Sequence, residues 1–164
     1  MAATESASPS AELNILIERM TEHDLVEVCQ IEEMSEVSAW GWDAYHKELQ
    51  SATESIMLVA GIDSTFHGIE IAGFIVARVI ADEVHINNVA VRPAFRGYRI
   101  GSRLLRATLE QAQRGGAAIA RLEVRAGNQA AQRLYRRCGF EVDGRRRGYY
   151  REPTEDALLM SLFL

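Results

Sequence analysis

From Val89 to Ser102 the chain reads V-A-V-R-P-A-F-R-G-Y-R-I-G-S, and no other stretch limits the possible folds as much. The β-type run stops at Arg92-Pro93, because Pro93 has no N–H to give to a sheet ladder. A glycine-marked turn, Arg96–Ser102, leads into a helix. Ile100–Arg114 places Ile100, Leu104, Leu105, Leu109 and Ala112 on one face, and Gly115-Gly116 ends it. The same grammar returns once. Ala118–Arg125 predicts a strand, and Asn128 can cap a helix that runs to Cys138 and stops at Gly139. Strands joined by two helical crossovers and followed by closing strands require a mixed α/β sheet.

The remaining elements fit that sheet. Leu13–Arg19 reads as a first strand. Thr21 and Asp24 form a capping-box pattern ahead of Leu25, Val28, Cys29 and Ile31 at helical spacing. Trp40-Gly41-Trp42 precedes a second helix, from Asp43 to about Gln50. Ser55–Ile62 and Glu70–Ile80 predict a hairpin around D-S-T-F-H-G, Glu83–Val91 a further strand, and Phe140–Tyr150 with Ala157–Leu164 two closing strands. The expectation is one α/β domain over residues 12–164, with about seven strands in a mixed central sheet and about four helices. Residues 1–11, rich in Ala and Ser, read as a disordered tail.

With 164 residues, 48% of them apolar, the chain can fill a core without disulfides or metal. Its 18 basic and 23 acidic side chains leave a net charge of −5. That disfavours a nucleic-acid binder and suits a cationic partner, a free amine or an Arg-rich peptide. Cys29 and Cys138 stand alone, as buried thiols in a reducing compartment do. His23, His46, His67 and His85 are too dispersed to predict a metal site. No stretch approaches the length of a membrane span, and the tail lacks the basic start and apolar centre of a secretory signal. A cytoplasmic protein is expected.

Four groups of residues could carry chemistry. In R-G-Y-R-I-G-S, Arg96–Ser102, free N–H groups at a helix start stand beside the positive charge of Arg96 and Arg99, an arrangement suited to a diphosphate. The plain alternative is a tight turn with close packing. Alternation along L-E-V-R puts Leu122 and Val124 on one sheet face and Arg121, Glu123 and Arg125 on the other. Glu123 is then either a general base on a cleft floor or a carboxylate salt-bridged between two arginines. Tyr135 shares a helical face with Ala131, Leu134 and Cys138, so it is a core aromatic or a phenol placed to give up a proton. Asn128 is an N-cap whether or not it also meets a ligand. The segment R-R-R-G-Y-Y-R, Arg145–Arg151, reads as a solvated strand end, an RNA contact or a substrate-facing hairpin.

Taken together these residues resemble the GCN5-related N-acetyltransferase (GNAT) superfamily, and within it the RimI-type branch that acetylates ribosomal-protein alanine. The likeness spans Leu13–Leu164. It is densest in N-N-V-A-V-R-P-A-F-R-G-Y-R-I-G-S-R-L-L, in L-E-V-R-A-G-N-Q-A-A-Q-R-L-Y-R-R-C-G-F and in R-R-G-Y-Y-x-x-x-x-E-D-A-L-L-M. The resemblance implies acetyl-CoA as donor and the N-terminal amine of a protein, a ribosomal protein beginning with alanine, as acceptor. It implies that Val89, Ala90 and Val91 hold the pantetheine arm. Gly97, Tyr98, Arg99, Ile100, Gly101 and Ser102 would form the pyrophosphate loop, and Asn128 would contact the cofactor. Glu123 would be general base, Tyr135 general acid, and Tyr149 and Tyr150 would border the peptide. Arg99 occupies the first glycine position of the R/Q-x-x-G-x-G/A loop. Either it takes a left-handed conformation, at about 1–2 kcal/mol, or the helix starts in ordinary geometry with the Arg99 side chain reaching a phosphate. The segment between Tyr150 and Glu155 is shorter than the family's, and Gly41 stands where the family often has proline. A GNAT enzyme acting on lysine or a small amine, and a non-catalytic acyl-CoA-binding subunit, are the competing readings.

Overall fold

The computed structural model describes residues 13–51, 53–64 and 68–164. The N-terminal tail and the middle of the D-S-T-F-H-G turn lie outside the described residues. Among those described, seven strands form one sheet: β1 Ile15–Arg19, β2 Ser55–Ser64, β3 Gly68–Ile80, β4 Glu83–Val91, β5 Ile119–Arg125, β6 Glu141–Arg151 and β7 Thr154–Phe163. Their spatial order is β1-β2-β3-β4-β5-β7-β6. Four helices cover it: α1 Leu25–Glu33, α2 Gly41–Gln50, α3 Ile100–Arg114 and α4 Gln129–Arg137. Only β4 and β5 run parallel, joined by the α3 crossover; the other pairs are antiparallel. The expected mixed sheet of seven strands with four helices is what the chain forms.

Local chemistry accounts for most boundaries. The Asp24 carboxylate accepts the Thr21 N–H at 2.7 Å and its hydroxyl at 2.9 Å, fixing a 3-10 turn at Glu22–Asp24 that feeds α1. Asn128 Oδ1 accepts the Ala131 N–H at 3.1 Å, so Asn128 caps α4 as expected. The closing hairpin is tighter than its sequence suggests. Tyr150 pairs with Glu155 and Arg151 with Thr154, leaving Glu152-Pro153 as the turn, so β7 begins three residues before Ala157.

Two apolar layers sandwich the sheet. Leu104 and Leu105 of α3 and Tyr135 of α4 pack with Ile75, Val84, Leu122 and Met160 on one face. Leu25, Val28 and Ile31 of α1 and Tyr45 of α2 pack with Met57, Phe74 and Val76 on the other. These layers hold the sheet rigid up to the point where β4 and β5 part.

Candidate active site

That parting makes the site. β4 and β5 pair only from Glu83–Ile86 against Ile119–Leu122. On the far side of β4, Val76 lies opposite Asn88 and Ala77 opposite Ile86, so Asn87 is an extra, bulged residue. A bulge bends and over-twists its strand. It also shifts the side-chain phase: Val84 and Ile86 face the α3 layer before it, Val89 and Val91 after it, while Asn88 and Ala90 turn to the α1/α2 side. From Asn87 to Val91 the β5-facing edge of β4 has no strand partner among the described residues; Arg96 takes the Val91 carbonyl, and the backbone groups before it stand open to an extended ligand.

A cleft of roughly 630 Å³ fills the gap, between β4, the start of α3, α4 and the loop after α1. Of the expected cofactor residues, Val89, Ala90, Val91, Gly97, Arg99, Gly101, Ser102 and Asn128 line it. Tyr98 and Ile100 do not. Tyr98 points outward, half exposed, and Ile100 is buried in the α3 core, leaving its backbone to the loop. Gly97 takes φ 89°, and Arg99 takes φ 60° with ψ 24°, the left-handed region. Ordinary helix-start geometry at Arg99 is thereby ruled out. An added Cβ on Gly101 would sit 3.2 Å from Leu134 Cδ2, so this glycine lets α3 and α4 meet. Arg96, expected beside the anion, lines the cleft, and its side chain donates to Val91 O at 3.2 Å and Met34 O at 3.3 Å. Arg99 and Arg137 line the cleft without an ion-pair partner among the described residues. Free N–H groups at the α3 start, a glycine turn and two unpaired guanidiniums suit a pyrophosphate.

A smaller cavity of roughly 100 Å³ adjoins the cleft, and Glu36, Val37, Val89, Asn128 and Ala131 belong to both. Glu123, Tyr135 and Tyr150 line it. Glu123 comes from the sheet face opposite the α3/α4 layer and Tyr135 from that layer; both reach one cavity where β4 and β5 have separated. Glu123 is not clamped by its neighbours in sequence. Arg121 pairs with Glu83 at 3.0 Å and Asp143 at 3.7 Å. Arg125 pairs with Glu155 at 3.2 Å and lies 4.2 Å over the Tyr150 ring. Among the described residues Glu123 keeps only Arg146, at 3.5 Å, and remains exposed. Tyr135 is buried, edge-on to Phe140 at 6.0 Å between centroids. Burial, with Tyr150 and Cys138 adding to it, pushes its phenol well above the ordinary value, so it carries its proton at neutral pH. Tyr150 is raised too, by burial first and then by Glu123 and Tyr149. Tyr149 stands outside the cavity, exposed and edge-on to Tyr150 at 5.1 Å.

The residues 19–140 match the acetyltransferase (GNAT) family model. The chain belongs to the GNAT family. It is 33% identical over 144 residues to a protein of Bacillus subtilis (strain 168) named putative [ribosomal protein bS18]-alanine N-acetyltransferase, covering 88% of this chain and 92% of that one. Among solved structures, the ribosomal-protein-S18-alanine N-acetyltransferase from Escherichia coli superposes with a TM-score of 0.77 at 27% identity, over 91% of this chain and 93% of the other. The PaiA N-acetyltransferase from Thermoplasma acidophilum, solved in complex with coenzyme A, shares the fold at TM-score 0.72 and 21% identity, over 92% of this chain and 99% of that one. This GNAT chain is thus an N-acetyltransferase of the RimI-like kind.

Sequence reasoning missed the loop after α1. Glu36, Val37 and Ser38 wall the small cavity, yet nothing local in S-E-V-S marks them. The bulge had a readable sign: the alternation of V-H-I-N-N-V-A-V slips by one at Asn87-Asn88. Gln132 also went unnoticed. Its Nε2 donates to Arg125 O at 3.2 Å and Ala126 O at 2.8 Å, tying α4 to the end of β5.

Proposed function

We propose that this chain transfers the acetyl group of acetyl-CoA to the N-terminal α-amine of a cytoplasmic protein that begins with alanine, a ribosomal protein, as the names of its relatives state for them. The observation that carries the reading is the shared cavity: Glu123 and Tyr135 line one small space that opens into the cleft along β4. The N–H groups at the start of α3 with Arg99 and Arg137 hold the pyrophosphate, and the open edge of β4 at Val89–Val91 holds the extended arm. Tyr150 borders the incoming peptide, and Tyr149 lies behind it.

Glu123, directly or through a water, takes a proton from the acceptor ammonium. The freed nitrogen attacks the thioester carbonyl, whose oxygen is steadied by a backbone N–H of β4 near Val89. The N–C bond forms and the C–S bond breaks as Tyr135 protonates the sulfur. The second proton shed by nitrogen restores the Tyr135 hydroxyl, and Glu123 releases its own to solvent. Products are the amide, the thiol and one proton.

Acid–base arithmetic favours an α-amine. With a pKa of about 7.7–8.0, roughly a tenth of it is neutral at pH 7; a lysine at about 10.4 is neutral to roughly four parts in ten thousand. A single exposed carboxylate is adequate for the first and poor for the second. The test is acetyl transfer to an alanine-initiated peptide containing arginine and one lysine, beside the same peptide blocked at its N-terminus. Transfer to the free peptide alone upholds the proposal. Equal transfer to both moves the acceptor to a side chain, and CoA binding without transfer to any amine reduces the chain to a binding subunit.

A further inference from the structure

We infer that Glu32, Tyr45 and Asn88 are positioning residues, a buried polar strut that sets how far the loop between α1 and α2 stands from β4, and so fixes the acceptor wall. Glu32 and Tyr45 line neither cavity, and Asn88 lines the small one with its amide nitrogen committed to Tyr45 and Ser38. The inference rests on the acceptor entering beside Glu123.

Glu32 lies in the last turn of α1 and is only 7% exposed. Its carboxylate accepts the N–H groups of Trp40 at 3.1 Å and Gly41 at 3.0 Å, and also the hydroxyl of Tyr45 from α2. The Tyr45 oxygen in turn accepts from Asn88 Nδ2 at 3.0 Å, and the same nitrogen donates to Ser38 O at 2.9 Å. Five bonds therefore join the end of α1, both ends of Ser38–Gly41, the body of α2 and β4 at the residue after its bulge. Around them the setting is apolar: Trp40 stacks on Tyr45 at 5.4 Å, and Phe74 meets it edge-on at 5.6 Å.

A polar trio in such surroundings is costly unless every group is paired, and here no buried side-chain polar atom among the described residues lacks a partner. Apolar residues would join two helices equally well. What they could not supply is direction. The strut grips Ser38 O at one end of the exposed stretch, while Arg96 grips Met34 O at the other, at 3.3 Å. Between those grips hang Glu36 and Val37, which line both the cleft and the small cavity. The strut's other end is Asn88, next to Val89 on the open edge of β4. One rigid connection thus spans the two walls between which amine and thioester must meet, and a slackened wall weakens the acceptor before it weakens the donor.

The test is Tyr45→Phe, which removes one hydroxyl from a residue that lines neither cavity, with Glu32→Gln as the second variant should the first fold poorly. Three quantities are measured: acceptor KM and kcat with the alanine-initiated peptide, CoA affinity by calorimetry, and amide hydrogen exchange at Trp40 and Gly41. Expected are an acceptor KM raised about 3- to 10-fold, kcat within about twofold, unchanged CoA affinity and faster exchange at both amides. An unchanged KM in the folded variant, or an equal loss of CoA affinity, overturns the strut as an acceptor device. Should the wild type ignore α-amines altogether, the proposed function fails separately. The exchange measurement and KM for whichever amine is used then judge the strut, and unaltered exchange at Trp40 and Gly41 rejects it.

Discussion

Replacing Arg99 by glycine separates two effects that the wild-type residue combines. Arg99 holds φ 60° and ψ 24° at the N-cap of α3, where an L side chain costs about 1–2 kcal/mol that glycine does not pay. Glycine brings its own penalty of about 0.5–1 kcal/mol through a freer unfolded chain. The balance is a gain of about 0.5–1 kcal/mol, which in a chain of this size raises Tm by about 1–4 °C. The guanidinium is exposed and without an ion-pair partner among the described residues. Losing it from a phosphate should weaken CoA by about 3- to 10-fold at low salt, and by less as salt screens the contact. Scanning calorimetry of the CoA-free protein reads the first effect, and CoA titration at two ionic strengths reads the second. Arg99→Ala is the control, since it loses the charge yet keeps the strained backbone. It should match Arg99→Gly in CoA affinity without the rise in Tm. A glycine variant that melts below wild type would refute the strain, and unchanged CoA affinity at low salt would refute the phosphate contact.

Glu123→Gln should lower turnover by about 10²- to 10⁴-fold with CoA affinity intact; the surviving rate should climb with pH as the acceptor amine sheds its own proton. Wild-type turnover in that variant removes Glu123 from the base role. Tyr135→Phe should cost about 10- to 10³-fold in turnover, and an undiminished rate would return the residue to packing alone. Away from the site, burial would raise the Glu48 carboxyl, but hydrogen bonds from Arg78 and Ser55 outweigh it and hold the group below its ordinary value. A depressed carboxyl stabilises the fold above the unfolded value of about 4.3, and that contribution disappears as pH falls through the folded one. Urea unfolding of Arg78→Gln should therefore show most of its deficit at pH 7 and little near pH 3; an equal deficit at both would deny the linkage.

Where chemistry is local, the sequence was a reliable guide. Gly115 ends α3, Asn128 caps α4, Asp24 closes the turn ahead of α1, and Pro93 stops the strand before it; each acts within four residues of itself. Glu123 and Tyr135 were legible as residue types at suitable spacing. The cavity they share was not, because it depends on β4 leaving β5 after Ile86, a property of two strands 36 residues apart in register. Arg99 offered two backbone states to sequence reasoning. The fold selects the strained one because Gly101 must pass Leu134 closely and Ile100 must enter the core, which fixes where α3 starts. Arg96 lines the cleft with Arg99, yet its hydrogen-bond partners were not legible. Its charge was plain, but the carbonyls of Val91 and Met34 that take its hydrogens come from elements brought together only by the fold.

The outward face of β5 shows how a strand can carry three charges and leave one of them available. Arg121, Glu123 and Arg125 project to the same side, and adjacent opposite charges two residues apart on a strand face would ordinarily pair with each other. Here Glu83 and Asp143 draw Arg121 one way, while Glu155 and the Tyr150 ring draw Arg125 the other. The acids that occupy the arginines sit on β4, β6 and β7, so the sheet's own strand order β4-β5-β7-β6 keeps them apart from Glu123. Glu155 does more than engage Arg125, because it also accepts the Gly127 N–H at 2.6 Å and so holds the turn leading to Asn128. The carboxylate left over faces a cavity bordered by Tyr150, which the same Arg125 holds in place. Arg146 remains its one ion-pair partner among the described residues, at 3.5 Å and on a bulged stretch of β6. An exposed contact of that length is weak and readily exchanged for an incoming ammonium. The flanking arginines are engaged elsewhere, and that leaves Glu123 available for the base role proposed for it.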